Sequence, residues 1–306
     1  MTHELTSKRL DKAIPVDAFI ERFGVSHLAV QETVREYPVL CYLLGRVTET
    51  SQAEDQRPDG VVRPVHFLAE GSGMFDLTHA TDAERWKGIF NHIMGTARQV
   101  YFLAEQLSRL TPEQKQQFIT LGFNSSSLQD IDPILLRDFM LISHAGRRQM
   151  DEYNWHGLRD NTHPSGDSYT NTIHLLQTYN VSTDLIKLMR TENHEYEVGA
   201  GRGHGLLPDV SDNILTYCDW TFGQKPNTFQ ERFDELRKNK RLPIEMLNTL
   251  ESYGQEFENA LKQVLGTDIF DRIIHADPYP WETQIRKAYA VSSGLTLKEL
   301  FPLYKK

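Results

Sequence analysis

The chain has 306 residues, of which 39% are apolar, 25% charged and 10% aromatic, and its formal net charge is −9. Such a composition can bury a sizeable core, and the length accommodates one large domain or two of ordinary size. The acidic balance repels a polyanion and disfavours general nucleic-acid binding, and no apolar run approaches the roughly 20 residues that cross a bilayer.

The opening "MTHELTSKRLDK" lacks the apolar segment of a secretory signal, so a soluble, cytoplasmic protein is expected. Residues 1–80 read as a mixed extension. "DAFIERFG" and "QETVREYPVLCYLLGRV" have helical spacing, and Pro58-Asp59-Gly60 signals a turn. "VVRPVHFLAEGSGMF" fits either a hairpin or a loop. From residue 82 the helical period dominates. Trp86, Ile89, Phe90, Ile93, Met94, Ala97, Val100, Tyr101, Ala104 and Leu107 form one apolar stripe. Thr111 then caps a second helix with Pro112 at its first position, and a third helix begins after Asp132-Pro133.

Further helices are expected over "SYTNTIHLLQTYN" and "STDLIKLMRTENHEY". The Gly-rich joint "GAGRGHGLLPD" leads to a helix in "VSDNILTYCDWTFG", then to two more in "TFQERFDELRKN" and "IEMLNTLESYGQEFENALKQVLG". Long alternating strands and internal repeats are lacking. The expected fold is all-α: an extension over 1–80, a helical core over 81–240, and C-terminal helices packed on that core over 241–306. The basic cluster from Arg237 to Arg241 reads as a solvated helix end. Cys41 and Cys218 lie in apolar or aromatic stretches and read as small buried residues; they make neither a disulfide framework nor a Cys-x-x-Cys knuckle.

Four ligand-type groups fall where the core side of separate helices should be: His92, His144, His194 and Asp219. A helical bundle can bring such side chains to one internal point. Imidazoles with a carboxylate suit several divalent metals, including Zn, Fe, Ni and Mn. Each residue alone also has a plainer reading. A histidine on an apolar face often bonds a backbone carbonyl, and Asp219 could cap a neighbouring helix.

In their order and surroundings these residues resemble the HD-domain superfamily of metal-dependent phosphohydrolases. "NHIMGTARQVYFLAEQL" looks like the helix that carries the family's first histidine, here His92. "LLRDFMLISHAGRR" is similar to the helix that ends in the His-Asp pair, and "HLLQTYNVSTDLIKLMRTENHE" to the helix–turn–helix that ends in a further histidine, here His194. "DNILTYCDWTFGQKPNTFQERFDEL" resembles the helix with the last aspartate, here Asp219. The resemblance covers residues 82 to 240 and implies an HD-like helical bundle.

The pattern departs from the family at one position. His144 is followed by Ala145 where the family has an aspartate on the metal, so one negative ligand is missing. His92, His144 and Asp219 remain as metal candidates, Asp167 is a candidate fourth ligand, and Asp151 and Glu152 are more distant ones. The resemblance implies a divalent metal ion that acidifies water and polarises a phosphoryl oxygen. Arg147 and Arg148 would neutralise phosphate charge, and His194 would serve as general acid or base. The expected activity is metal-dependent hydrolysis of a nucleotide or other small phosphorylated metabolite at a weakened site, with homo-oligomerisation open. The alternative is a catalytically inactive HD-fold protein with a ligand-binding or regulatory role.

Other motifs carry less. The glycines of 198–208 match neither a Walker loop nor a dinucleotide fingerprint, although a lid is conceivable there and His204 is a minor site candidate. "NHEYE" lacks the second histidine of a zinc-protease motif. His156 and His163 sit in a turn-rich segment open to substrate contact or plain surface exposure.

Overall fold

The structure, a computed structural model, describes residues 14–15, 61–62, 83–123, 128–144, 172–173, 186–189, 209–222, 227–239, 243–279, 282 and 286. Most of these residues are helical. The helices are α1 (Ala83–Ser108), α2 (Pro112–Thr120), α3 (Pro133–Ile142), α4 (Val210–Thr221), α5 (Phe229–Lys238), α6 (Ile244–Leu265) and α7 (Thr267–His275). Two short strands are described, β1 (Ile14–Pro15) and β2 (Val61–Val62), antiparallel with Ile14 opposite Val62. The fold is all-α, as the periodicity predicts. No helix among the described residues is long and apolar enough to cross a membrane.

Cap chemistry places the helix starts. The Thr111 side chain accepts from the Gln114 amide at 3.3 Å while the Gln114 side chain accepts from the Thr111 amide at 3.0 Å, a reciprocal box ahead of Pro112. Asp132 accepts from the amides of Ile134 and Leu135 at 2.9 and 3.0 Å to open α3. Asp209 caps α4, and Thr228 with Glu231 boxes the start of α5. Gly266, at φ 89°, separates α6 from α7, a left-handed angle that side-chain-bearing residues rarely adopt.

The Cα positions group into two compact units, residues 1–91, 141–187 and 278–306 in one and residues 92–140 and 188–277 in the other. The seams cut α1 between Asn91 and His92 and α3 between Met140 and Leu141. In the first unit, Arg286 is buried. It donates to Glu282 at 3.0 Å and to Asn91 at 2.6 Å, with its guanidinium 5.5 Å from the Phe90 ring centroid. A charge taken out of water needs this kind of multiple partnering.

In the second unit α6 packs against α2, α4, α5 and α7. Gln114 ties α2 to the end of α6 by donating to the Val264 carbonyl at 2.9 Å. An aromatic chain runs through this core: Phe118 to Phe123, Phe123 to Phe257, Phe257 to Tyr217, Tyr217 to Phe229, Phe229 to Phe233 and Phe233 to Trp220, with centroids 4.4 to 6.2 Å apart. These separations suit offset and edge-to-face packing. Each fully buried ring contributes about 1.5–3 kcal/mol by leaving water.

Candidate metal centre

Helix α1 is buried on every side from Ile93 to Val100, including Thr96, Arg98 and Gln99. This differs from the one-sided stripe that the apolar spacing predicts, because neighbours cover the polar face as well. Thr221 of α4 donates to the Gln99 side chain at 3.4 Å, and Arg98 lies 5.8 Å from the centroid of the Phe222 ring. A helix in this position can hold a polar side chain away from bulk water. His92 sits at the edge of this stretch, with its side chain 16% exposed.

Both ring nitrogens of His92 are engaged. Nδ1 lies 2.6 Å from the Phe222 carbonyl oxygen, and Nε2 lies 3.0 Å from Oδ1 of Asp219. A carbonyl oxygen only accepts, so Nδ1 carries a hydrogen and donates it. Nε2 faces a carboxylate oxygen, which likewise only accepts. Such a contact is attractive only with a proton or another cation between them.

Asp219 projects from the last turn of α4, and its side chain is 25% exposed. His144 lies two residues past the end of α3, which explains why it closes an apolar run in the sequence, and it is buried. Its Nδ1 lies 2.8 Å from the Ser143 hydroxyl, while Thr172 donates to the Ser143 carbonyl at 3.2 Å. Two of the residues expected to bear a metal, His92 and Asp219, thus meet within the second unit, and His144, in the first, is a third metal-ligating side chain among the described residues.

The donor set is chemically coherent. Zinc-like ions bind imidazole nitrogen and carboxylate oxygen at roughly 2.0–2.2 Å, which places ligand atoms roughly 3–4.4 Å apart around the ion. The 3.0 Å between His92 Nε2 and Asp219 Oδ1 lies in that range. Two neutral imidazoles and one carboxylate would leave a bound dication with one net positive charge and open positions.

Asp167, His194, Arg147 and Arg148 lie outside the described residues, as do Ala145, Asp151, Glu152, His156, His163 and His204. Cys218, one residue from Asp219, is fully buried. Burial first, and then the Asp219 carboxylate, push its thiol well above the ordinary range, so it is no activated nucleophile. Sequence reasoning did not anticipate the Phe222 carbonyl, Thr96 with its hydroxyl 3.5 Å from His92 Nδ1, or Ser143. Only Gly95 left a signal, as an isolated glycine inside a long helical pattern. In comparisons with known proteins, no family model, no curated protein and no solved structure matches the chain.

Proposed function

We propose that His92, His144 and Asp219 hold a divalent metal ion, and that this HD-like protein hydrolyses the phosphate ester of a nucleotide or other small phosphorylated metabolite. The observation that carries the reading is the meeting of the His92 imidazole with the Asp219 carboxylate at 3.0 Å, the ring already oriented by a backbone carbonyl. Metal-bound histidines ordinarily donate their second ring nitrogen to a carbonyl or carboxylate in this way.

A divalent ion in this set supplies Lewis acidity toward a phosphoryl oxygen and acidifies water near neutral pH. The chain's own residues do the rest. His92 and Asp219 fix one side of the group, held by Phe222 and by α4 respectively. His144, two residues past the end of α3, is the candidate for the third ligand. Arg147 and Arg148, three and four residues further on, are the candidates for neutralising phosphate charge, and His194 is the candidate proton carrier. Asp167 is the candidate for the ligand that Ala145 does not provide.

Ala145 favours a second reading, a catalytically silent protein that binds a phosphorylated ligand through the same group. Elemental mass spectrometry on protein purified without chelator or affinity nickel separates the two. Near-stoichiometric metal, lost in His92→Ala and Asp219→Ala together with phosphatase turnover, is the expected result. Metal found only in Ala145→Asp would favour the silent reading. Metal in neither protein would overturn the phosphohydrolase.

A further inference from the structure

We infer that Gly95 and Phe222 form a seat that orients His92 and selects Nε2 as its metal-coordinating nitrogen, an inference that rests on the metal reading above. The seat combines three observations in the second unit. A Cβ built on Gly95 would overlap the ring carbons of Phe222, so the ring lies directly against the bare backbone of α1. That ring is only 2% exposed and has the Arg98 guanidinium 5.8 Å from its centroid. The backbone of Phe222 leaves α4 in an extended conformation, φ −93° and ψ 104°, with its amide still donating to the Cys218 carbonyl at 3.0 Å.

Anchored at its amide and at its ring, Phe222 has little freedom in where its carbonyl points. That carbonyl meets Nδ1 of His92 at 2.6 Å. His92 and Gly95, three residues apart on α1, share a helix side, and Asp219 and Phe222 are three residues apart across the end of α4. One residue pair therefore seats the ring while the other presents carbonyl and carboxylate to the two nitrogens of the imidazole.

An alanine at position 95 would suit an ordinary helix better than glycine does. Here its methyl group would displace the ring, and the carbonyl would move with it. Gly95 and Phe222 are positioning residues, acting on the metal only through His92.

The test has two readouts. The first, on metal-free protein with 15N-labelled histidine, is the ring tautomer of His92 from long-range 1H–15N spectra, its signals assigned by their loss in His92→Gln. The second is Co2+ affinity from visible absorption. The wild type should show hydrogen on Nδ1. Gly95→Ala should lose that signature and bind Co2+ about 10–100-fold more weakly, the range typical when a partner behind a metal ligand is removed. Gly95→Ala combined with Phe222→Leu, whose shorter side chain makes room, should recover both.

Gly95→Ala with an unchanged His92 signature would overturn the seat, as would a double variant that recovers neither readout. If Gly95→Ala does not fold, Phe222→Ala carries the test, since it removes the ring without any overlap. An unchanged tautomer in that variant also overturns the inference. A wild type that takes up no Co2+ but shows the expected tautomer changes would sink the metal reading and leave the seat standing.

Discussion

The two ends of α4 bury polar groups in opposite ways. Near its start, Asn213 accepts from the Tyr253 hydroxyl at 2.6 Å and donates to the Asp209 carbonyl at 2.6 Å. One turn on, Tyr217 donates to Glu258 at 3.3 Å and stacks on Phe229 with the ring planes 7° apart. Donors meet acceptors here, and rings close over them. At the last turn Asp219 directs an acceptor at His92 Nε2, and both side chains keep some exposure. A polar group paired inside the core rigidifies it, whereas one that keeps partial exposure at a helix end stays accessible to a ligand. The first end holds the fold and the second is available for chemistry.

Predictions that break this contrast rank by size. Phe257→Ala removes a ring that touches both Tyr217 and Phe123 and should cost about 3–5 kcal/mol in urea unfolding. The folded fraction should retain its metal affinity, because the ring belongs to the closed end. Next, saturating the other end with a divalent ion at a hundred times its Kd should stabilise the protein by about 2.7 kcal/mol, reversed by chelator. Asp219→Asn should abolish that increment while changing the metal-free stability by no more than about 1 kcal/mol, since the amide can still meet His92.

Tyr253→Phe leaves the buried Asn213 oxygen short of a donor and should cost about 1–3 kcal/mol at neutral pH. It should also change the alkaline limb. Burial holds the Tyr253 phenol above its ordinary value of 10.0, and the Asp212 and Glu256 carboxylates reinforce this against a hydrogen bond to Thr216. The folded value is raised, so the stabilisation is present below pH 10. It is lost as pH rises beyond that, because the unfolded chain ionises first. Urea midpoints at pH 8 and pH 11 should therefore fall further apart for the wild type than for the variant. The smallest effect concerns neither end: Thr228→Ala removes the cap of α5 and should cost about 1 kcal/mol with metal affinity unchanged.

The legible parts of this molecule follow from local rules. Apolar spacing identified α1, α5 and α6, and Thr111, Pro112 and Asp132 marked the starts of α2 and α3. Apolar spacing did not separate out α7, whose nine residues follow Gly266 so closely that the pattern runs on from α6. His92, His144, His194 and Asp219 stood out as polar groups where apolar ones were due, and the structure brings His92 and Asp219 together. Arg98 and Gln99 were illegible as core residues, since their chemistry belongs on a solvated face. Their burial depends on what covers α1 from the other side.

The sequence by itself determined that the chain is helical, where most described helices begin, and a set of metal candidates, His92, His144 and Asp219 with Asp167 as a fourth. Helical period and capping are interactions between near neighbours, so they are written in consecutive residues. The tertiary structure decided how His92 is turned. The carbonyl that fixes its ring lies 130 residues away in sequence and belongs to a backbone that every residue type possesses. No side-chain pattern could announce it. Its placement follows from the packing of the Phe222 ring against a glycine, a contact made only when α1 and α4 meet.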